Sequence, residues 1–172
     1  LKGKKHAISR FGSVADLGSR LILQKYGLVP DKDITLLQIG GTSTRLAALS
    51  KRTVDSTILT PEFFLVAKKA GFTILVDPTQ YKIDFPQLEV ITTRSFLKSR
   101  PDVATRYMRA IVEGIHNYKN DREGSIRALS KYLRINDRDA LEEVYRIYYE
   151  IYQPIPYPSP AAIQTQLTWM AE

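Results

Sequence analysis

The chain has 172 residues, of which 44% are apolar and 25% charged, enough for one full domain, or one and part of another, of ordinary globular composition. Its formal charge of +7 is spread among acids, as in Asp31-Lys32-Asp33 and Asp121-Arg122-Glu123, so a solvated surface is expected and no nucleic-acid partner. The absence of cysteine excludes disulfides, thiolate metal sites and a cysteine nucleophile within these residues, and no apolar run approaches the roughly 18 residues of a membrane-spanning helix.

The opening Lys2-Gly3-Lys4-Lys5 is the one tight basic cluster, and it leads directly into a strand over residues 6–9. Phe11-Gly12-Ser13 reads as a turn. Val14, Leu17, Leu21 and Ile22 then recur at helical spacing up to Gly27, a residue suited to a C-terminal cap. Residues 34–39, rich in branched side chains, form the clearest strand. Gly40-Gly41-Thr42 breaks it, and a short helix carrying Leu46 and Leu49 follows. Residues 54–59 read as a third strand, Thr60-Pro61-Glu62 opens a helix that closes at Gly71, and residues 72–76 read as a fourth strand. This alternation predicts an α/β unit whose mainly parallel sheet is covered by helices on both faces.

After one more strand over residues 88–93 the pattern becomes helical throughout. Pro101 suits the first turn of a helix running to about Asn120. A second helix spans residues 122–133, and a third spans 138–152, capped by Asn136 or Asp137. Pro154-Ile155-Pro156-Tyr157-Pro158 is an extended linker before a last helix from Ser159-Pro160. Tyr145, Tyr148, Tyr149 and Tyr152 make an aromatic stripe, and nearby Glu142, Glu143 and Glu150 would repel phosphates, so packing is expected of it and not base stacking.

Three loops share one geometry: residues 9–13, 38–42 and 59–62 each follow a strand and open a helix. In parallel α/β sheets that edge is where ligands bind. Free N–H groups at helix N-termini suit an acceptor or an anion. The candidate ligand-binding residues are therefore Ser9, Phe11, Gly12, Ser13, Gly40, Gly41, Thr42, Thr60 and Glu62. Ser13 and Thr42 offer hydroxyls, and Gly12, Gly40 and Gly41 allow close backbone approach. Plain N-capping explains the serine and threonines equally well, and Phe11 serves as an apolar wall or as core. Catalytic patterns are poor. His6 lies in a strand and His116 inside a helix, neither beside a metal-ligand motif, and Gly40-Gly41-Thr42 lacks the lysine of a phosphate-cradling loop. No catalytic residue, metal or cofactor is expected.

Four stretches resemble a known family, the nitrate/sulfonate/taurine-type solute-binding proteins of ABC importers, which also include binders of thiamine precursors. They are the entry Leu1-Lys2-Gly3-Lys4-Lys5-His6-Ala7-Ile8-Ser9 with its Phe11-Gly12-Ser13 turn, and Gln38-Ile39-Gly40-Gly41-Thr42 with Arg45-Leu46-Ala47-Ala48-Leu49. The others are Val54-Asp55 with Thr60-Pro61, and Thr92-Thr93-Arg94-Ser95-Phe96-Leu97 with Pro101-Asp102-Val103. One departure is Lys51-Arg52-Thr53, where the family usually has a glycine to end the helix.

The resemblance implies a periplasmic-binding-protein-like (type II) fold. Residues 1–87 would be the second lobe, an α/β sandwich. Residues 88–172 would be a return strand and C-terminal helices of the first lobe, whose N-terminal part and signal peptide would lie upstream, making the chain a fragment. The tyrosine stripe would then cover distant apolar surface. The implied function is capture of a small solute, anionic or heteroaromatic, and its delivery to the membrane permease of an ABC importer. The implied location is periplasmic or extracellular, with a lipid anchor as one option. If the 172 residues stand alone, the helical tail is expected to expose enough apolar surface for self-association. Two alternatives share related folds: a pyrimidine-precursor synthase-like enzyme, disfavoured by the lack of cysteine, and the effector-binding domain of a transcriptional regulator.

Overall fold

The computed structural model describes residues 1–77 and 89–170, which fall into two compact units, Leu1–Tyr81 and Lys82–Glu172. In the first unit β1 (Lys5–Ile8), α1 (Val14–Lys25), β2 (Thr35–Gln38), α2 (Thr42–Ser50), β3 (Ser56–Thr57) and α3 (Pro61–Lys69) follow one another. The strands are parallel in the order β2-β1-β3, with His6 level with Leu36 on one side and Ser56 on the other. Successive side chains of a strand point to opposite faces. His6, Ala7 and Ile8 are all buried, so both faces of the central strand are covered. On the His6 and Ile8 face, Ile8 packs with Leu23 of α1 and with Ile34, Leu36 and the half-buried Leu28.

The three helices end alike. Gly27 follows α1 at φ 72° and Gly71 follows α3 at φ 82°, each the left-handed residue past the cap. In both, the next N–H reaches back to the carbonyl five residues earlier, Leu28 to Leu23 at 2.9 Å and Phe72 to Ala67 at 3.0 Å. α2 closes in the same way without a glycine. Arg52 takes φ 56°, its N–H donates to Leu49 O at 3.0 Å, and Thr53 N–H donates to Ala48 O at 3.1 Å. The Thr53 hydroxyl adds a bond to the same Ala48 carbonyl at 3.0 Å. The motif therefore forms despite the missing glycine, at the cost of one strained arginine.

The sheet is smaller than the sequence pattern suggests. Only Ser56 and Thr57 pair in the third strand, and residues 72–76 form no strand among the described residues. Ile74 and Leu75 in that stretch are exposed, so branched residues there have neither a ladder neighbour nor a core to pack on. The expected return strand is likewise absent over residues 89–93, and its start at Leu88 lies outside the described residues. Thr93 instead caps α4 (Arg94–Ser99), the start of the stretch read as helical throughout, by accepting from Phe96 N–H at 3.2 Å.

The second unit is helical as expected: α5 (Pro101–Asn120), α6 (Arg122–Leu133), α7 (Arg138–Ile151) and α8 (Pro160–Met170). Pro101 stands in the first turn of α5, where a missing N–H costs nothing. Asp121 caps α6 by accepting from Gly124 N–H at 2.8 Å, and Asp137 caps α7 by accepting from Ala140 N–H at 3.1 Å. Ile126, Leu141 and Tyr145 form one buried cluster, with Tyr118, Leu129 and Ile135 packed against it, and Val144 is also fully buried. The tyrosine stripe is thus partly satisfied inside this unit. Tyr118 of α5 stacks on Tyr145 at 5.0 Å and meets Tyr152 edge-on at 5.3 Å, and its hydroxyl donates to Tyr145 O at 3.2 Å. Burial among these rings pushes the Tyr118 phenol well above its ordinary value. α5 itself has no fully buried residue and leaves Tyr107, Met108 and Val112 exposed.

Candidate functional site

Because β1, β2 and β3 run parallel, their C-terminal ends and the loops that follow lie on one edge of the sheet. The candidates Ser9, Phe11, Gly12, Ser13, Gly40, Gly41, Thr42, Thr60 and Glu62 all stand on that edge. The first two loops are joined directly: Gly40 N–H donates to Ser9 O at 3.1 Å, and Phe11 N–H donates to Gln38 Oε1 at 3.2 Å.

The loop before α1 is internally satisfied. The Ser13 hydroxyl donates to Arg10 O at 2.6 Å and accepts from the Ser9 hydroxyl at 2.7 Å and from Asp16 N–H at 3.3 Å. Gly12 sits at φ 74°, and its N–H donates to Asp16 Oδ2 at 2.8 Å. Asp16 is buried, and its other oxygen pairs with Arg20 at 2.7 Å, which reaches Asp31 at 2.9 Å. A carboxylate thus already occupies the positive end of α1. Phe11 is 54% exposed, so it is a surface side chain and not core.

The loops before α2 and α3 differ. Gly41 is the N-cap of α2 and Thr60 that of α3, and neither helix receives a side-chain cap bond. Gly40 adopts φ 108°, a conformation open in practice to glycine alone. The Thr60 hydroxyl donates to Glu62 Oε1 at 2.7 Å. Thr42 stands at the first position of α2 and its Oγ1 accepts from Arg45 at 3.2 Å, which leaves its own O–H to donate elsewhere.

Arg45 is the residue the sequence reading missed. It is 4% exposed in the first half of α2. Nη1 donates to Gly40 O at 2.6 Å, and Nε and Nη2 share Ile58 O at 3.4 and 3.1 Å. Among the described residues no carboxylate lies within ion-pair distance of it. Burial lowers its affinity for the proton, yet a guanidinium stays charged, so a cation is held beneath this edge. A signal was present: Arg45 stands four residues before Leu49, on the face that apolar spacing assigns to the interior.

His6 lies deeper and is structural. Ser19 Oγ gives its one proton to Ala15 O at 2.6 Å, so at 2.8 Å it must accept from His6 Nε2–H. His6 Nδ1 is then the acceptor for Ser56 Oγ at 2.9 Å. Burial, with Arg45 as the smaller cause, lowers its pKa from 6.5 to about 4, so the ring is neutral at physiological pH. His116 is exposed on α5, its Nδ1 within 3.3 Å of Asn120. Among the described residues no three His, Asp or Glu side chains gather as a metal site, and no helix is long and apolar enough to cross a membrane.

A family model described as NMT1/THI5 like matches residues 1–124, most of the chain and the whole of this edge. The chain belongs to the NMT1/THI5-like family. This family includes periplasmic solute-binding proteins, and its THI5 members are synthases. The helices and small parallel sheet are consistent with membership. No curated protein and no solved structure matches the chain.

Proposed function

We propose that this NMT1/THI5-like chain is the ligand-binding component of an ABC importer. It would capture a small anionic or heteroaromatic solute in a two-lobed, type II binding-protein fold, and deliver it to a membrane permease on the periplasmic or extracellular side. On this reading residues 1–87 form one lobe, residues 88–172 belong to the other, and the chain performs no chemistry. The observation that carries the proposal is the loop edge. Two helix N-termini without side-chain caps stand there beside a buried arginine that has no acid partner among the described residues. Ser9, Phe11, Gly12, Ser13, Gly40, Gly41, Thr42, Thr60 and Glu62 would line the ligand, with Gly41 and Thr42 supplying donors that the fold does not itself consume.

The test is a thermal-shift screen of the whole encoded protein against nitrate, alkyl sulfonates, bicarbonate, pyrimidines and aromatic acids. A ligand at a hundred times its dissociation constant should add about 2.7 kcal/mol of stability. A flat response across the panel, with the protein folded, would defeat the proposal.

A further inference from the structure

The sheet order leaves a gap in its own bonding. β1 lies between β2 and β3, so the ends of β2 and β3 are two strand spacings apart, roughly 10 Å, and share no ladder bond. Arg45 spans that gap. One side of its guanidinium holds the carbonyl of Gly40 in the loop before α2, and the other holds the carbonyl of Ile58 in the loop before α3. A trans peptide sets its C=O and the following N–H in opposite directions, and there is no cis peptide bond in the described chain. Drawing the Gly40 and Ile58 carbonyls onto the guanidinium therefore turns Gly41 N–H and Leu59 N–H away from it. Among the described residues neither N–H has a hydrogen-bond partner.

Resting on the proposed reading of this edge, we infer that Arg45 is a positioning residue: it ties the two loops together and fixes the orientation of the Gly41 and Leu59 N–H donors for an acceptor-bearing solute. Packing alone does not require an arginine here, since an apolar side chain would fill the same space without burying a charge. Lysine would keep the charge but lacks the fork, so it cannot hold both carbonyls in this geometry.

The experiment is heteronuclear NMR on the chain with Arg45→Met and Arg45→Lys beside the parent, in two arms. In the first, without ligand, residual dipolar couplings of the Gly41 and Leu59 N–H vectors should collapse in both variants while those of Ala7 and Ile8 in β1 stay as they are. Unchanged Gly41 and Leu59 couplings in Arg45→Met overturn the inference; if that variant does not fold, Arg45→Lys decides it by the same criterion. In the second arm sodium methanesulfonate is the probe. Saturable shifts at Gly41 and Leu59 are expected in the parent, with an apparent dissociation constant raised about tenfold in Arg45→Met. Equal affinity in parent and variant refutes positioning and leaves the binding reading intact. A parent whose Gly41 and Leu59 amides ignore methanesulfonate refutes the anion-binding reading of these donors, whatever the first arm gives.

Discussion

Acidification from about pH 7.5 to about pH 5 should destabilise the Leu1–Tyr81 unit by about 2 kcal/mol through His6 alone. The ring bridges Ser19 of α1 and Ser56 of β3 as a neutral donor and acceptor, and burial, then Arg45, holds its pKa near 4 against 6.5 in an unfolded chain. Between those values the unfolded state binds more protons. The contribution is thus fully present above 6.5 and is lost as pH falls toward the folded value. The whole gap is worth about 3 kcal/mol, and most of it is gone by about pH 5. The assay is urea unfolding followed on the Ala7 and Ile8 methyl resonances, which report the central strand directly, at both pH values. His6→Asn is the comparison, because it cannot titrate. The variant should be less stable at neutral pH but lose about 2 kcal/mol less than the parent on acidification. Equal losses in parent and variant would show that His6 is not held neutral by the fold.

Arg52→Gly should raise stability by about 0.5–1 kcal/mol in thermal or urea unfolding, since the left-handed residue past α2 becomes the type found past α1 and α3. Val144→Ala should cost about 2 kcal/mol, two buried methyls and a small void. Arg138→Ala, although it breaks pairs to Glu123 and Glu142, should leave the melting temperature almost unmoved because that network is solvated and screened. Ser13→Ala should lower stability by about 1 kcal/mol through the lost cap. Thr42→Ala should instead weaken solute binding in calorimetry by about 0.5–1.5 kcal/mol with little change in unfolding.

The elements that were legible are those whose residues carry their own instructions. Ser13, Asp137 and Pro101 announce helix starts, and Gly27 and Gly71 announce ends, because each satisfies or tolerates a local backbone geometry. Strands are not local in this sense. Residues 72–76 and 89–93 have strand composition, but pairing depends on a neighbour that composition cannot name. Placing three β–α loops on one edge needed only the parallel pattern. What each loop does with its donors was hidden, because it depends on side chains from the following helix. Asp16 returns to Gly12 and Arg45 returns to Gly40, both four or five residues along the chain, and neither contact follows from apolar spacing.

Those two return contacts have opposite charge, and this has a consequence for the proposed solute. An anion about 6 Å from Arg45 would gain about 3 kcal/mol at an effective dielectric constant of about 20. The same anion beside α1 would meet Asp16, whose charge is only shared with Arg20. Glu62 in the first turn of α3 opposes an anion there as well. The negative group of a bound solute is therefore expected against the Gly41 and Leu59 N–H donors, closer to Gly41 and Thr42 than to Glu62. The exposed ring of Phe11 would then stand beside the less polar part of the solute, joined to the second loop through Gln38. A solute carrying an amine would reverse this placement and turn its cation toward Glu62. The sign of the ligand's charge thus selects which loops it touches, and Thr42→Ala should weaken an anionic solute more than a cationic one of the same size.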